Sequence, residues 1–224
     1  MLKPIVLTCV LMLQASNLSA ALIFEDFSSG LNGWGHIQTS GSSSTGGTSG
    51  TLDPKSIIGD GGPSGIGDNY LQYQDVDSNF MHAIFGNGWS GDLSAYNNGL
   101  FSFDFIQTAP SFGTSFIASF GFLRVTGGGL TFGTDVIPDN PSTDWQNQSF
   151  SFSAATFGAT EQQWSTVLAN VTEIRLNVES WNGIEEFVGL DNVSLRTRAV
   201  DGPASAWLFS LGIFYILLIA RGRQ

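Results

Sequence analysis

Carboxylates and loop aromatics are the residues of this sequence able to do chemistry, because the usual nucleophiles and bases are scarce. Its two histidines, His36 and His82, stand in no zinc spacing such as HExxH, which leaves them the role of ordinary surface histidines. No GxSxG elbow occurs, and the single cysteine, Cys9, lies in the N-terminal apolar segment, so the rest of the chain has no thiol nucleophile. Carboxylate pairs do exist. Asp75 and Asp77 share a strand face, whereas Glu185 and Glu186, being neighbours, point to opposite faces. A retaining glycosidase needs two carboxyls about 5 to 5.5 Å apart across a cleft, and spacing in sequence does not establish that, so the chain is read as non-catalytic. Trp89, Tyr96, Trp145 and Trp181 lie beside Gly, Asn or Asp in predicted loops, where an exposed ring stacks on a sugar. Core packing is the competing role for each of them, and the favoured one for Trp34 and Trp164.

These residues need a scaffold, and the segment 160–195 spells one out. TEQQWSTVLANV predicts a short helix in which Thr160 and Gln163 have capping-box spacing and Trp164, Val167, Leu168 and Val171 share one apolar face. Strict alternation over 173–179 predicts a half-buried strand, a turn follows at Trp181-Asn182-Gly183, and 187–195 reads as a second strand. Upstream, 23–27 and 70–76 are predicted strands. Phe101, Phe103 and Phe105 face one side of another, with Ser102 and Asp104 on the opposite side. Residues 116–125 are apolar on both faces and predict a central strand, and 130–133 and 149–153 are shorter ones. Gly-rich loops at 40–51 and 59–69 separate them. Short strands at near-regular intervals predict an all-β jelly-roll sandwich with one short helix and a phenylalanine-rich core.

The ends read differently. Residues 1–21 form a signal peptide, with Lys3 as its basic region, an apolar stretch at 5–13, and cleavage after Ala20 or Ala21. Residues 204–220 are 17 uncharged residues followed by Arg221 and Arg223, which predicts a transmembrane helix with its basic end in the cytoplasm; a buried core element is the competing reading. One exported domain remains at 22–198, long enough to bury roughly 70% of its unfolded surface. The chain carries 8 Lys plus Arg against 19 Asp plus Glu, a net charge of −11. That field repels phosphate backbones, so nucleic acid is excluded as a partner, and it attracts divalent cations. Solubility outside the cell explains the same acidity without a specific ligand.

Val200-Asp201-Gly202-Pro203, then the apolar span, then the Arg-containing end, resembles the PEP-CTERM class of bacterial sorting signals. The resemblance implies recognition by an exosortase, cleavage near the motif, and a protein first anchored in the membrane and then delivered to the cell surface or medium. The usual Val-Pro-Glu-Pro is here Val-Asp-Gly-Pro, so Val200 and Pro203 are kept. A plain tail anchor is the alternative.

A second resemblance rests on the order of landmarks within 22–198: FEDFSSGLNGW (24–34), GGPSGIGDNYL (61–71), FGNGWSGDLSAYNNGLFSFD (85–104), Gly127-Gly128-Gly129-Leu130, Asp144-Trp145, and finally ATEQQWSTVLANVTEIRL and GLDNV within 159–193. Together they resemble the laminin IV type A (laminin B) domain as it occurs in bacterial surface proteins. The resemblance implies a jelly-roll sandwich related to galactose-binding-like domains and carbohydrate-binding modules, without catalysis. Its expected partner is extracellular polysaccharide or matrix; a structural biofilm component without a discrete ligand and a glycan-active enzyme are the rivals. Related binding modules often hold one structural calcium between their first and last strands. The matching positions are Glu25 or Asp26 and Asp191, with Asp60, Asp68 and Asn69 from the Gly-rich loop, against a simple hydrogen-bonded turn at Asp191-Asn192.

Overall fold

The computed structural model describes residues 21–39, 55–75, 80–108, 120–137, 143–179 and 186–198. The expected signal peptide, the expected sorting motif Val200 to Pro203, the expected transmembrane helix, Asp77, Trp181 and Glu185 lie outside the described residues. Among the described residues no helix is long and apolar enough to cross a membrane.

The strands are β1 (Leu22–Glu25), β2 (Gly35–Thr39), β3 (Lys55–Ile58), β4 (Tyr70–Asp75), β5 (Phe80–Ile84), β6 (Gly99–Thr108), β7 (Phe122–Gly127), β8 (Leu130–Asp135), β9 (Gln146–Phe152), β10 (Val171–Asn177) and β11 (Glu186–Arg196), with one α-helix, α1 (Glu161–Leu168). They build two antiparallel sheets. The first has the order β3-β4-β11-β6-β9, with β1 lying beside the C-terminal part of β11; the second has the order β2-β5-β10-β7-β8. The chain passes back and forth between the sheets.

Alternation sets the faces. Phe101, Phe103 and Phe105 of β6 turn inward and are at most 1% exposed, opposite Leu123 and Val125 of β7 and Ile174 and Leu176 of β10 in one continuous core. Helix α1 closes one end of the sandwich. Its N-terminus carries the reciprocal cap: the Gln163 N–H donates to Thr160 Oγ1 (3.3 Å) and the Thr160 N–H to Gln163 Oε1 (3.0 Å). The ring of Trp164 stacks on Phe157 at 4.6 Å and meets Phe152 edge-on at 5.1 Å. Val171, expected on the helix face, instead opens β10, because its N–H and C=O both bond to Gly91 at 2.8 Å. The strand expected over 116–125 begins at Phe122 and buries alternate residues, with Phe122, Arg124 and Thr126 on the outer side; 116–119 lie outside the described residues.

Candidate functional site

The outer face of the first sheet carries two features side by side. One is acidic. Strand β11 breaks register between Asp191 and Ser194, and Asn192 takes a left-handed φ of 49°, a conformation Asn tolerates better than most residues. The break leaves Asp191 opposite Asp104 of β6, with the Asn192 side chain between them: its amide donates to Asp104 Oδ2 (2.8 Å), while the Asn192 backbone N–H donates to Asp191 Oδ1 (2.7 Å). Asp104 Oδ1 also accepts from the Asn147 amide of β9 at 2.7 Å. Asp191 is fully buried. Burial pushes its carboxyl up to about 7 against the pull of the Asn192 N–H, and the charges of Asp68, Asp104 and Asp26 push the same way.

Of the expected calcium ligands, Asp26 and Asp68 are thus brought within electrostatic reach of Asp191. Each already has at least one oxygen engaged. Asp26 Oδ1 accepts from the Ser28 hydroxyl (2.7 Å) and backbone N–H (3.1 Å), which together hold its carboxyl below the usual range. Asp68 Oδ2 accepts the Ser64 N–H at 2.7 Å. Glu25 turns into its own loop, with Oε1 taking the Phe27 N–H (3.0 Å) and Oε2 the Asn32 amide (2.7 Å). Asp60 Oδ1 closes the Gly-rich loop through the Gly67 N–H at 2.7 Å, and Asn69 is half-buried beside Gly59. The donors are hard oxygens of the kind calcium takes, yet among the described residues no three of His, Cys, Asp or Glu stand together as a metal centre. An ion here would need loop carbonyls for most of its shell. Asp104 was not among the expected ligands, although its outward place in the LFSFDFI alternation was readable.

The other feature is aromatic. Trp145, just ahead of β9, lies over β11 with its ring edge-on to Tyr70 of β4 at 5.2 Å, and its indole N–H donates to the Gly61 carbonyl at 2.9 Å. The room for this pair comes from Gly189. A Cβ there would meet Ile106 Cγ2 at 2.7 Å and both the Trp145 and Tyr70 rings at 3.0 Å. The Gln72 amide donates to the Tyr70 hydroxyl at 3.3 Å, and Trp145 and Tyr70 are both half-buried.

The remaining expected stacking residues are placed otherwise. Trp89 is 2% exposed and cannot stack on a sugar: the turn at Gly88 aims it inward, where it meets Phe85 edge-on at 5.2 Å and Phe101 at 5.5 Å. Tyr96 sits half-buried in a 3-10 turn, Ser94–Tyr96, against the core. Trp181 is outside the described residues.

The second sheet's outer face has the opposite character. Arg175 of β10 stands opposite Arg124 of β7 and Ile84 of β5, and His82 of β5 stands opposite Asn177. Arg175 is paired to Glu173, with Nε 2.6 Å from Oε1, and the Arg124 guanidinium lies 5.4 Å from the Phe122 ring centroid. His82 is 5% exposed, so it is no surface histidine. Burial drives it down to about 4, and the charges of Arg124 and Arg175 add to the shift. Arg124 itself is lowered, first by burial and then by Arg175. No short motif announced this face; it exists because β10 lies between β5 and β7.

No family model and no curated protein matches the sequence. Solved structures do. The L4b domain of human laminin alpha-2 superposes with a TM-score of 0.55 over 80% of this chain and 99% of that one, at 6% identity. A family 11 carbohydrate-binding module from Clostridium thermocellum, in complex with a β-1,3-1,4-mixed-linked tetrasaccharide, gives 0.47 over 79% and 96%, at 14% identity. A β-1,2-glucanase from Parabacteroides distasonis gives 0.43 over 72% of this chain and 22% of that one, at 12% identity. At such low identity the likeness speaks to architecture: the chain has a laminin-like sandwich fold.

Proposed function

We propose that the domain is a non-catalytic binding module for polysaccharide or matrix, and that the Trp145–Tyr70 pair on the first sheet is its contact. The observation that carries this reading is the half-buried aromatic pair held over Gly189 with amide side chains around it, Gln72 beside Tyr70 and Asn147 across the sheet. A sugar ring offers apolar C–H faces and a rim of hydroxyls. It is matched by an aromatic surface for the one and amides, which both donate and accept, for the other. Stacking of this kind is worth on the order of 1 kcal/mol per ring, so a long polymer crossing several modules would bind far better than a short oligosaccharide. The test is retention of the purified domain on immobilised polysaccharides and glycan arrays. Retention of wild type that falls about tenfold in Trp145→Ala supports the reading, and no retention on any surface removes it.

The reading includes export through the 1–21 leader, anchoring by 204–220, and release by an exosortase-type enzyme acting near Val200 to Pro203. What supports it is the order of leader, domain, Pro-containing motif, apolar run and basic end. Intact mass of protein from membrane and medium fractions tests it: loss of everything past about Pro203 is the expected result, and a retained Arg221 to Gln224 end would mean a permanent anchor. One structural calcium near Asp191 is also proposed, supported by the negative field that Asp68, Asp104 and Asp26 set at Asp191, with loop carbonyls supplying most of the shell. Chelation is then expected to lower the Tm, and a melt unchanged by chelator rules the ion out.

A further inference from the structure

At the edge where the domain begins and ends, the outer face of the first sheet changes character. The Thr197 N–H donates to the Ala21 carbonyl at 3.0 Å, so both ends of the domain emerge together. The registers place Leu22 opposite Arg196, Arg196 opposite Leu100, and Leu100 opposite Ser151. These four therefore form one row across β1, β11, β6 and β9, roughly 14 Å long at the usual strand spacing, all on the outer side. In the next row Phe24 lies opposite Ser194. Leu22 and Phe24 are 58% and 51% exposed; only Ile66, on the Gly-rich loop, joins them as an exposed large hydrophobic residue among those described. A hollow of about 620 Å³ opens beside them, lined by Leu100, Ser151, Arg196 and Arg198 among others. Arg196 and Arg198 are two of only five basic residues in 22–198, and the uncharged run at 204–220 starts six residues beyond Arg198.

Exposed leucine and phenylalanine interleaved with arginine is the composition of a surface that lies in a lipid headgroup layer: apolar side chains enter the acyl boundary while guanidinium groups hold phosphates. The rest of the domain is strongly acidic and would be repelled by anionic lipid, so this patch fixes which side can approach. From these observations we infer that the Leu22–Phe24–Arg196–Arg198 patch docks this edge of the domain on the outer surface of the bilayer that carries its anchor, with lipid phosphate in the hollow. The inference rests on the anchoring reading of 204–220 and adds an orientation to it.

The mature chain has no cysteine, which makes the test direct. Full-length protein carrying Cys9→Ser and either Ser151→Cys or Ile66→Cys is labelled with an environment-sensitive fluorophore. It is then reconstituted in phosphatidylcholine vesicles with or without phosphatidylglycerol, containing a nitroxide at headgroup depth. Docking predicts several-fold stronger quenching at position 151 than at 66, enhanced by phosphatidylglycerol. Arg196→Gln and Arg198→Gln should each weaken the docked population about fivefold. Equal quenching at 151 and 66 in protein that floats with the vesicles overturns docking while leaving the anchor standing. Protein that does not float overturns the anchor and docking with it. Concentration-dependent self-quenching at 151 without nitroxide quenching assigns the patch to a second copy. A label at 151 shielded before vesicles are added assigns it to the chain's own apolar run.

Discussion

Each outer face of the sandwich holds a buried ionisable side chain with a large shift, Asp191 or His82, and the two shifts run in opposite directions. On the first sheet, Asp191 sits fully buried among Asp26, Asp68 and Asp104 and is raised to about 7; on the second, His82 sits beside Arg124 and Arg175 and is lowered to about 4. The cause is the same on both faces: desolvation comes first, and like charges then oppose ionisation. The consequence for stability is reversed. A carboxyl raised from 3.8 stabilises the folded chain below about pH 4, and that stability is lost as pH rises to about 7. A histidine lowered from 6.5 stabilises it above about 6.5, and that contribution is lost as pH falls toward 4. Over one and the same pH window these two slopes oppose each other, so the contributions of Asp191 and His82 to the Tm of the calcium-free protein largely cancel between pH 4 and 6.5.

The largest effect is expected from Gly189→Val. Its branched side chain must displace Ile106 and both rings above β11, costing on the order of 3 kcal/mol by thermal melt and abolishing polysaccharide retention. Asp191→Asn keeps the acceptor for the Asn192 N–H but cannot ionise, so it should stabilise the calcium-free protein by about 2 kcal/mol at pH 8. With that slope removed, the Tm should climb from pH 4 to 6.5 relative to wild type; a pH profile that matches wild type over that range contradicts the assignment to Asp191. On the other face, Arg124→Gln removes one of the two charges holding His82 down, and NMR titration should find the imidazole moved toward 6.5. The smallest effect belongs to neither face: Thr160→Ala deletes the reciprocal cap of α1 and should cost about 1 kcal/mol without altering either titration.

What could be read from the sequence follows the range of the interactions. The cap of α1 and the inward row of Phe101, Phe103 and Phe105 depend on residues within four positions of each other, and both stand in the structure as expected. Trp89 shows where local reading stops. Its Gly and Asn neighbours signal a loop correctly, but its direction is set by Phe85 and Phe101, which the sandwich brings to it. Asp104 meets Asp191 across 86 intervening positions, and Arg124 meets Arg175 only through the strand order of the second sheet. Trp145 illustrates both sides: its loop position was legible, whereas its pairing with Tyr70 over Gly189 required three strands to be in register.

Binding isotherms for wild type, Trp145→Ala and Arg175→Gln on a retained polysaccharide decide whether the first sheet's aromatic pair, and not the second sheet's arginine face, is the proposed contact. The expected result is a saturable wild-type isotherm, a loss of about tenfold in affinity for Trp145→Ala, and near wild-type affinity for Arg175→Gln. A loss confined to Arg175→Gln would move the site to the second sheet and overturn the aromatic contact.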